Sequence, residues 1–279
     1  MRLAAANLAY VLPRQNQPFA GRPHGGNGEL MVSDTEHIAG VQDPTAQSQP
    51  LWKRARRRLY RFTFTKRKLS TKNLDRLCRE YATAERTLVI HSEDVDYKPH
   101  FPNAFTVTKR PDKPADMHVD LYYRDLSKIA SESYPVIVCT GLLEHIPDPE
   151  RIVADMRRIL EPGGRLVISA SAVFSFHECP DNFFHFTPYG FKLLFKDWTR
   201  FDMLRGSSQP FETIGILIQR IHLQCDIFPL ARPFIELLFH TIGVLDVFVV
   251  RQYETRQFLD ERSRIDSMLP SNLQAVVVK

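Results

Sequence analysis

Two continuous apolar runs, Tyr134-Pro135-Val136-Ile137-Val138-Cys139-Thr140 and Leu166 to Ala170, flank a stretch with a different period. Between them Ile152, Val153, Met156, Ile159 and Leu160 recur at helical spacing. The continuous runs predict strands buried on both faces, and the stripe predicts an amphipathic helix. Asp148-Pro149-Glu150 opens that helix well, with a carboxylate to cap it, a proline in its first turn and an acid near its positive end. Pro162-Gly163-Gly164 is expected to stop it.

The same pattern extends outward. Leu74, Leu77, Cys78 and Tyr81 predict a helix over Thr71 to Ala84, and Leu88-Val89-Ile90 a short buried strand. Further strands are expected over Ala104 to Thr108, Met117 to Leu121, Phe201 to Leu204 and Leu273 to Val278. Thr187-Pro188 starts a helix that runs to about Lys196, and residues 211–250 form an apolar, helix-like insert. Alternating strands and helices imply an α/β domain with a mostly parallel, doubly wound sheet and helices on both faces.

Residues 1–50, rich in Ala, Gly, Pro, Gln and Asn, carry no sustained period and are expected to be disordered, with Met31 an alternative start to Met1. The expected organisation is therefore 1–50, a basic and aromatic segment 51–69, and a domain over 70–279. The net charge of +5 is local: residues 53–68 hold nine Lys/Arg and no acid, and outside them 28 basic residues face 32 acidic ones. Trp52, Tyr60, Phe62 and Phe64 interleave with those cations, which suits either contact with RNA or an anionic membrane, or a solvated helix packed by its aromatics. No run of about 18 uncharged apolar residues exists, so no spanning helix is expected. Glu236, His240 and Asp246 interrupt the nearest approach, 233–250, whose apolar stripe suits core or homodimer packing. Cys78, Cys139, Cys179 and Cys225 are scattered, which argues against a disulfide framework and for a reducing, cytoplasmic setting; no export signal is expected.

In open α/β sheets, ligands bind beyond the carboxyl ends of the strands. That places Thr140 to His145 and Ser169 to Ser175 on the functional rim. Glu144 and His145, a carboxylate beside an imidazole, are the candidate catalytic pair; the alternative is that Glu144 only braces its loop. His177, Cys179, Asp181 and His185 are of metal-ligand types, but their spacing fits no structural zinc pattern, and no metal is assigned to them.

The ordered series Leu143-Glu144-His145, Pro147-Asp148-Pro149 and Leu160-Glu161-Pro162-Gly163-Gly164 resembles the class I S-adenosylmethionine-dependent methyltransferases, in particular their small methyltransferase-domain group. His177-Glu178-Cys179-Pro180-Asp181-Asn182-Phe183-Phe184-His185-Phe186-Thr187-Pro188 resembles a loop found beside the acceptor pocket in one subgroup, with His185 where an arginine is usual. The resemblance covers about Thr87 to Lys279. It implies a seven-stranded Rossmann-like sheet with an antiparallel C-terminal strand, S-adenosylmethionine as cofactor, and an acceptor that is a small molecule, a lipid or a sugar. It further implies His177, Asp181, Phe184 and His185 as acceptor-side residues. By position, His91, Ser92, Glu93, Thr108, Asp120, Leu121 and Thr140 would meet the cofactor.

Two signatures of that group are altered. Where it has a glycine-rich turn after the first strand, this chain reads His91-Ser92-Glu93-Asp94-Val95, and Val89 replaces the strand's acid. Thr108 stands in place of the acid that holds the cofactor's ribose. These changes leave two readings: a methyltransferase that holds its cofactor weakly or in an altered way, or a catalytically inactive relative that holds none and serves as a binding or scaffolding module.

Overall fold

The computed structural model describes residues 63–64, 68–90, 96–120, 122–253 and 267–279. The expectations for residues 1–50 and for most of the basic run lie outside the described residues, as do His91, Ser92, Glu93 and Leu121.

Apolar β-branched runs become strands where the pattern places them. β1 (Thr87–Ile90), β2 (Ala104–Thr108) and β4 (Tyr134–Thr140) match expectation closely. β3 is only Met117–His118, shorter than the alternating stretch to Leu121. β5 (Leu160–Ser171) begins directly after the helix, so Pro162-Gly163-Gly164 lies within the strand and not between elements. Gly163 has a φ of +76°, a conformation that costs glycine little, so the backbone can turn there and still enter the sheet. β6 (Arg200–Gly206) and β7 (Asn272–Val278) complete a seven-stranded sheet of order β3-β2-β1-β4-β5-β7-β6. β7 runs antiparallel to both of its neighbours, and the remaining pairs are parallel.

The strands' two faces carry separate cores. Leu88, Ile90, Ile137, Cys139, Leu166 and Ile168 pack with the stripe of α2 (Pro149–Ile159) and with Phe191 and Phe195. Val89, Val136, Val138, Val167 and Val276 pack on the other face with Leu77 and Cys78 of α1 (Leu69–Glu80), Tyr97 and Phe101. The first helix thus starts and ends earlier than the expected Thr71 to Ala84. On this second face the terminal positions turn polar: Thr140, Ser169, Ser171 and Gln274 continue the rows of Val138, Val167 and Val276, and all are buried.

The helix caps follow the expected chemistry. The Asp148 side chain accepts from Arg151 N, and Thr187 caps α3 (Pro188–Leu194), which is shorter than expected. The apolar insert resolves into α4 (Pro210–Gln224), α5 (Arg232–Thr241) and a 3-10 turn over Ile242–Phe248. No helix of the described residues is long and apolar enough to cross a membrane.

Candidate active site

The site forms where β4 and β5 end. Gly141 follows β4 with a φ of +62°, and the chain then makes a 3-10 turn over Leu143–His145. Leu142 and Leu143 are fully buried and anchor this turn, which carries Glu144 and His145 inward to 1% and 2% exposure. A carboxylate is costly to bury without partners. Glu144 has one: its Oε1 accepts from Ser171 Oγ at 2.6 Å, while its Oε2 has none. The backbone carbonyl of Glu144 accepts from Phe183 N at 2.7 Å, which ties the loop after β5 onto the loop after β4.

The same loop orients two imidazoles. His145 donates from Nδ1 to the Asp181 carbonyl at 2.6 Å, and His177 donates from Nδ1 to the Ser175 carbonyl at 3.0 Å. A carbonyl only accepts, so in each neutral ring the proton is fixed on Nδ1 and the lone pair lies at Nε2. The two rings meet edge to face with centroids 4.7 Å apart. Burial pushes the His177 imidazole below its ordinary range; Glu144 opposes this, and His145 and Arg220 add to it. Arg220 of α4 donates to Ser175 Oγ at 3.0 Å and lies over the Phe174 ring, so the helical insert braces the segment that carries His177.

The expected site residues divide into groups. Glu144, His145 and His177 come together, with ligand-type atoms all within 4.8 Å of one another. Asp181 contributes its backbone carbonyl. His185 lies against Phe176, with a buried Nε2 that lacks a partner, and Phe184 is partly exposed on the same loop. Thr140 shares a short hydrogen bond with the buried Tyr97 hydroxyl. Thr108 and Asp120 lie further along the rim. Thr108 Oγ1 accepts from Arg110 N at 3.1 Å, and Asp120 Oδ1 accepts from Arg124 N. Lys109, after β2, pairs with Glu178, after β5, at 3.5 Å, so the loop after β5 is tied across the strand ends between them. Tyr97 was not picked out from sequence; Ser169 and Ser171 were placed on the rim, and Asn182 in the loop, but none with a role. The available signal was the switch from valine to serine and threonine at the ends of the second-face rows.

The profile of the family described as "Methyltransferase domain" matches residues 54–212. The chain belongs to that family. Among curated proteins, this methyltransferase domain is 34% identical over 58 residues to the ubiquinone biosynthesis O-methyltransferase of Xanthomonas oryzae pv. oryzae, a match covering 20% of this chain and 24% of that protein. It is 28% identical over 65 residues to the protein of the same name from Coxiella burnetii, over 23% of this chain and 28% of that one. The chain therefore matches about a quarter of the length of these curated relatives. Solved structures similar to it include a methyltransferase from Archaeoglobus fulgidus, at 11% identity and a TM-score of 0.44 over 76% of this chain and 93% of that one. Another is from Thermotoga maritima, also at 11% and 0.44, over 88% and 99%.

S-adenosylmethionine, the cofactor of this class of domain, can be tested against the donor set. Four buried polar atoms lack partners around the ends of β4 and β5: Glu144 Oε2, Ser169 Oγ, Asn182 Nδ2 and His185 Nε2. Such atoms are rare in folded proteins and fit a polar ligand held there. The ends of β4 and β5 therefore fit a polar ligand such as this one. Toward the ribose end, the described residues offer the Thr108 hydroxyl in place of a carboxylate, one hydrogen-bonding group instead of two oxygens.

Proposed function

We propose that the domain transfers the methyl group of S-adenosylmethionine to a hydroxyl oxygen on a largely apolar acceptor. The observation that carries this reading is Glu144: a carboxylate at 1% exposure with one oxygen held by Ser171 and the other without a partner, at the end of β4. When bound, the cofactor supplies an electrophilic methyl group on a sulfonium. Glu144 Oε2 would take the acceptor's hydroxyl proton as the acceptor oxygen gains the methyl group that the sulfonium releases. Ser171 keeps the carboxylate in one orientation, and the turn over Leu143–His145 holds it rigidly, so that positioning supplies much of the effect. Among the described residues, Thr140, Thr108 and Asp120 would hold the cofactor. Phe176, Phe183, Phe184 and Tyr189 expose aromatic surface on the loop and helix next to the site, which suits an apolar acceptor. The O-methyltransferase names of the partial relatives agree with an oxygen acceptor.

Calorimetric titration with S-adenosylmethionine and S-adenosylhomocysteine, followed by transfer of a labelled methyl group to a panel of phenols, tests this. Glu144→Gln is expected to lower kcat by roughly 10² while cofactor affinity stays within about threefold. A transfer rate indifferent to Glu144→Gln would remove the base role. Absence of cofactor binding at millimolar ligand would favour the non-catalytic module.

A further inference from the structure

We propose that Glu144, His145 and His177 form a binding site for one divalent transition-metal ion, best suited to zinc. Two imidazoles and one carboxylate make up a ligand set that zinc and its neighbours accept, leaving at least one position open. Three features of the structure support it. The three side chains, from two different loops, bring their ligand-type atoms within 4.8 Å of one another. Both imidazoles donate Nδ1–H to backbone carbonyls, those of Asp181 and Ser175, which is how ligating histidines are usually oriented, with Nε2 as the ligating nitrogen. Glu144 is buried, its Oε1 is fixed by Ser171 as ligating carboxylates are, and its Oε2 has no partner.

The distances are somewhat open. At bonds of about 2.1 Å, tetrahedral ligands stand about 3.4 Å apart, so the set would close by roughly 1 Å. His177 is partly exposed and sits on the loop after β5, so that loop is the part that would move. Cys179, Asp181 and His185, the other ligand types in the segment, are not part of the cluster. The site shares Glu144 Oε2 with the proposed base, so a bound ion and the base role exclude each other at that oxygen. Metal affinity is read with neither cofactor nor acceptor present, so its failure leaves the methyl-transfer reading standing.

The test uses the full chain, free of any affinity tag and stripped with chelator. Zinc is titrated in competition with a colorimetric chelator, and cobalt is followed by its visible absorption. One equivalent should bind, with cobalt giving the intense band of four- or five-coordinate geometry. Glu144→Gln and His177→Ala should each weaken zinc by roughly tenfold or more, while Cys179→Ser should leave it unchanged. Histidine-labelled NMR on the wild type needs no variant: zinc should shift two imidazole Nε2 resonances whose rings hold their proton on Nδ1. No stoichiometric uptake at about 100 μM metal, dependence on Cys179, or affinity indifferent to His177→Ala would overturn the site.

A different observation carries a second inference: the face of α5 and the following 3-10 turn is a docking surface for an anionic lipid bilayer. Phe234, Leu237, Val244, Val247 and Phe248 are each more than 60% exposed, far more large apolar surface than a solvated helix needs. Thr63 and Phe64, which stand between the cations of that run in the sequence, bond this helix: Phe64 N donates to Glu236 Oε2 at 2.9 Å and Thr63 Oγ1 to Glu236 Oε1 at 3.3 Å, and Glu236 lies within α5. A sequence segment with nine Lys/Arg at 53–68, whose Thr63 and Phe64 bond an apolar, exposed helix, combines the two features that interfacial anchors use. Co-sedimentation of the full chain with vesicles of neutral lipid alone, and with about one-third phosphatidylserine, checks this. Binding is expected only to the anionic vesicles, weakened by salt, and lowered roughly tenfold by Leu237→Glu. Equal binding to both vesicles, no binding to either, preference for RNA, or a dimer that Leu237→Glu dissociates while vesicle binding is unchanged would overturn it.

Discussion

Ser171 shows how one small residue can decide the chemistry of a site. Its hydroxyl is the group that Glu144 Oε1 receives, in an interior where the other carboxylate oxygen has no partner. Ser171→Ala removes that donor without opening a large cavity. Leaving a buried charged group less satisfied costs about 1–3 kcal/mol, and the carboxylate also loses its fixed orientation. Ser171→Ala should therefore lower both the unfolding free energy, read by urea denaturation, and kcat, by roughly tenfold, with cofactor affinity nearly unchanged. Cysteine at this position would restore bulk but only a weak donor, so it should not recover the wild-type rate. Glu144 and His145 were legible from the sequence because they close a motif at a strand end. Ser171 was placed on the rim by its strand end, but its bond to Glu144 was not legible, since a serine after an apolar run reads equally well as the start of a loop. His177 was legible as a site residue, but its pairing with Glu144 and His145 was not. That pairing depends on the loop after β5 folding back through Phe183 N and the Asp181 carbonyl onto the loop after β4, and spacing along the chain holds no trace of it.

Whole elements were more legible than the contacts between them. β4 falls where its apolar run places it, since its second half is buried on both faces, and β2, half-buried over Ala104 to Thr106, follows its aromatic and β-branched residues. The discrepancies have local causes. The turn at Pro162-Gly163-Gly164 was expected to separate helix from strand, yet Leu160 already pairs with Tyr134 of β4, and the irregularity is taken up within the ladder. β3 ends after His118: Val119 N makes the last rung with the Thr108 carbonyl, and Asp120 then bonds Asp125 and Arg124 of the following turn instead of the sheet. The start of α2 was legible in full, since its capping chemistry is local, and it can be tested locally. Asp148→Ala removes the side chain that accepts from Arg151 N at 3.1 Å. It is expected to cost about 1 kcal/mol, as other lost N-caps do, with little effect on metal or cofactor affinity. Thermal unfolding with the ligand titrations in parallel checks both halves; a loss near zero would mean that packing of the Ile152, Val153 and Met156 stripe alone fixes this helix.

At the scale of the molecule, the helical insert joins the loop after β5, α1 on the second face of the sheet and the proposed lipid surface, and its stability is expected to depend on pH through His222. This residue on α4 is 1% exposed, neither ring nitrogen makes a hydrogen bond, and its ring packs edge to face on Phe239 of α5. Burial holds its imidazole below the ordinary range and Arg232 adds to that; Glu236, with Oε2 at 3.9 Å from Nε2, pulls the other way. The folded chain therefore keeps His222 neutral at a pH where the unfolded chain, with an ordinary value near 6.5, takes up a proton. Below that value the unfolded state binds more protons than the folded one, so stability falls as pH drops. The contribution is fully present above about 6.5 and is lost as pH falls from there toward the lowered folded value. His177, shifted the same way, adds in the same direction. Urea denaturation at pH 7.5 and 5.5 should thus show the wild type losing stability on acidification, and His222→Phe losing measurably less. The variant should keep part of the loss, because His177 remains. Wild type and variant falling equally would mean that the charge on His222 is accommodated, through a Glu236 contact closer than the one observed, and that α4 and α5 tolerate the cation between them.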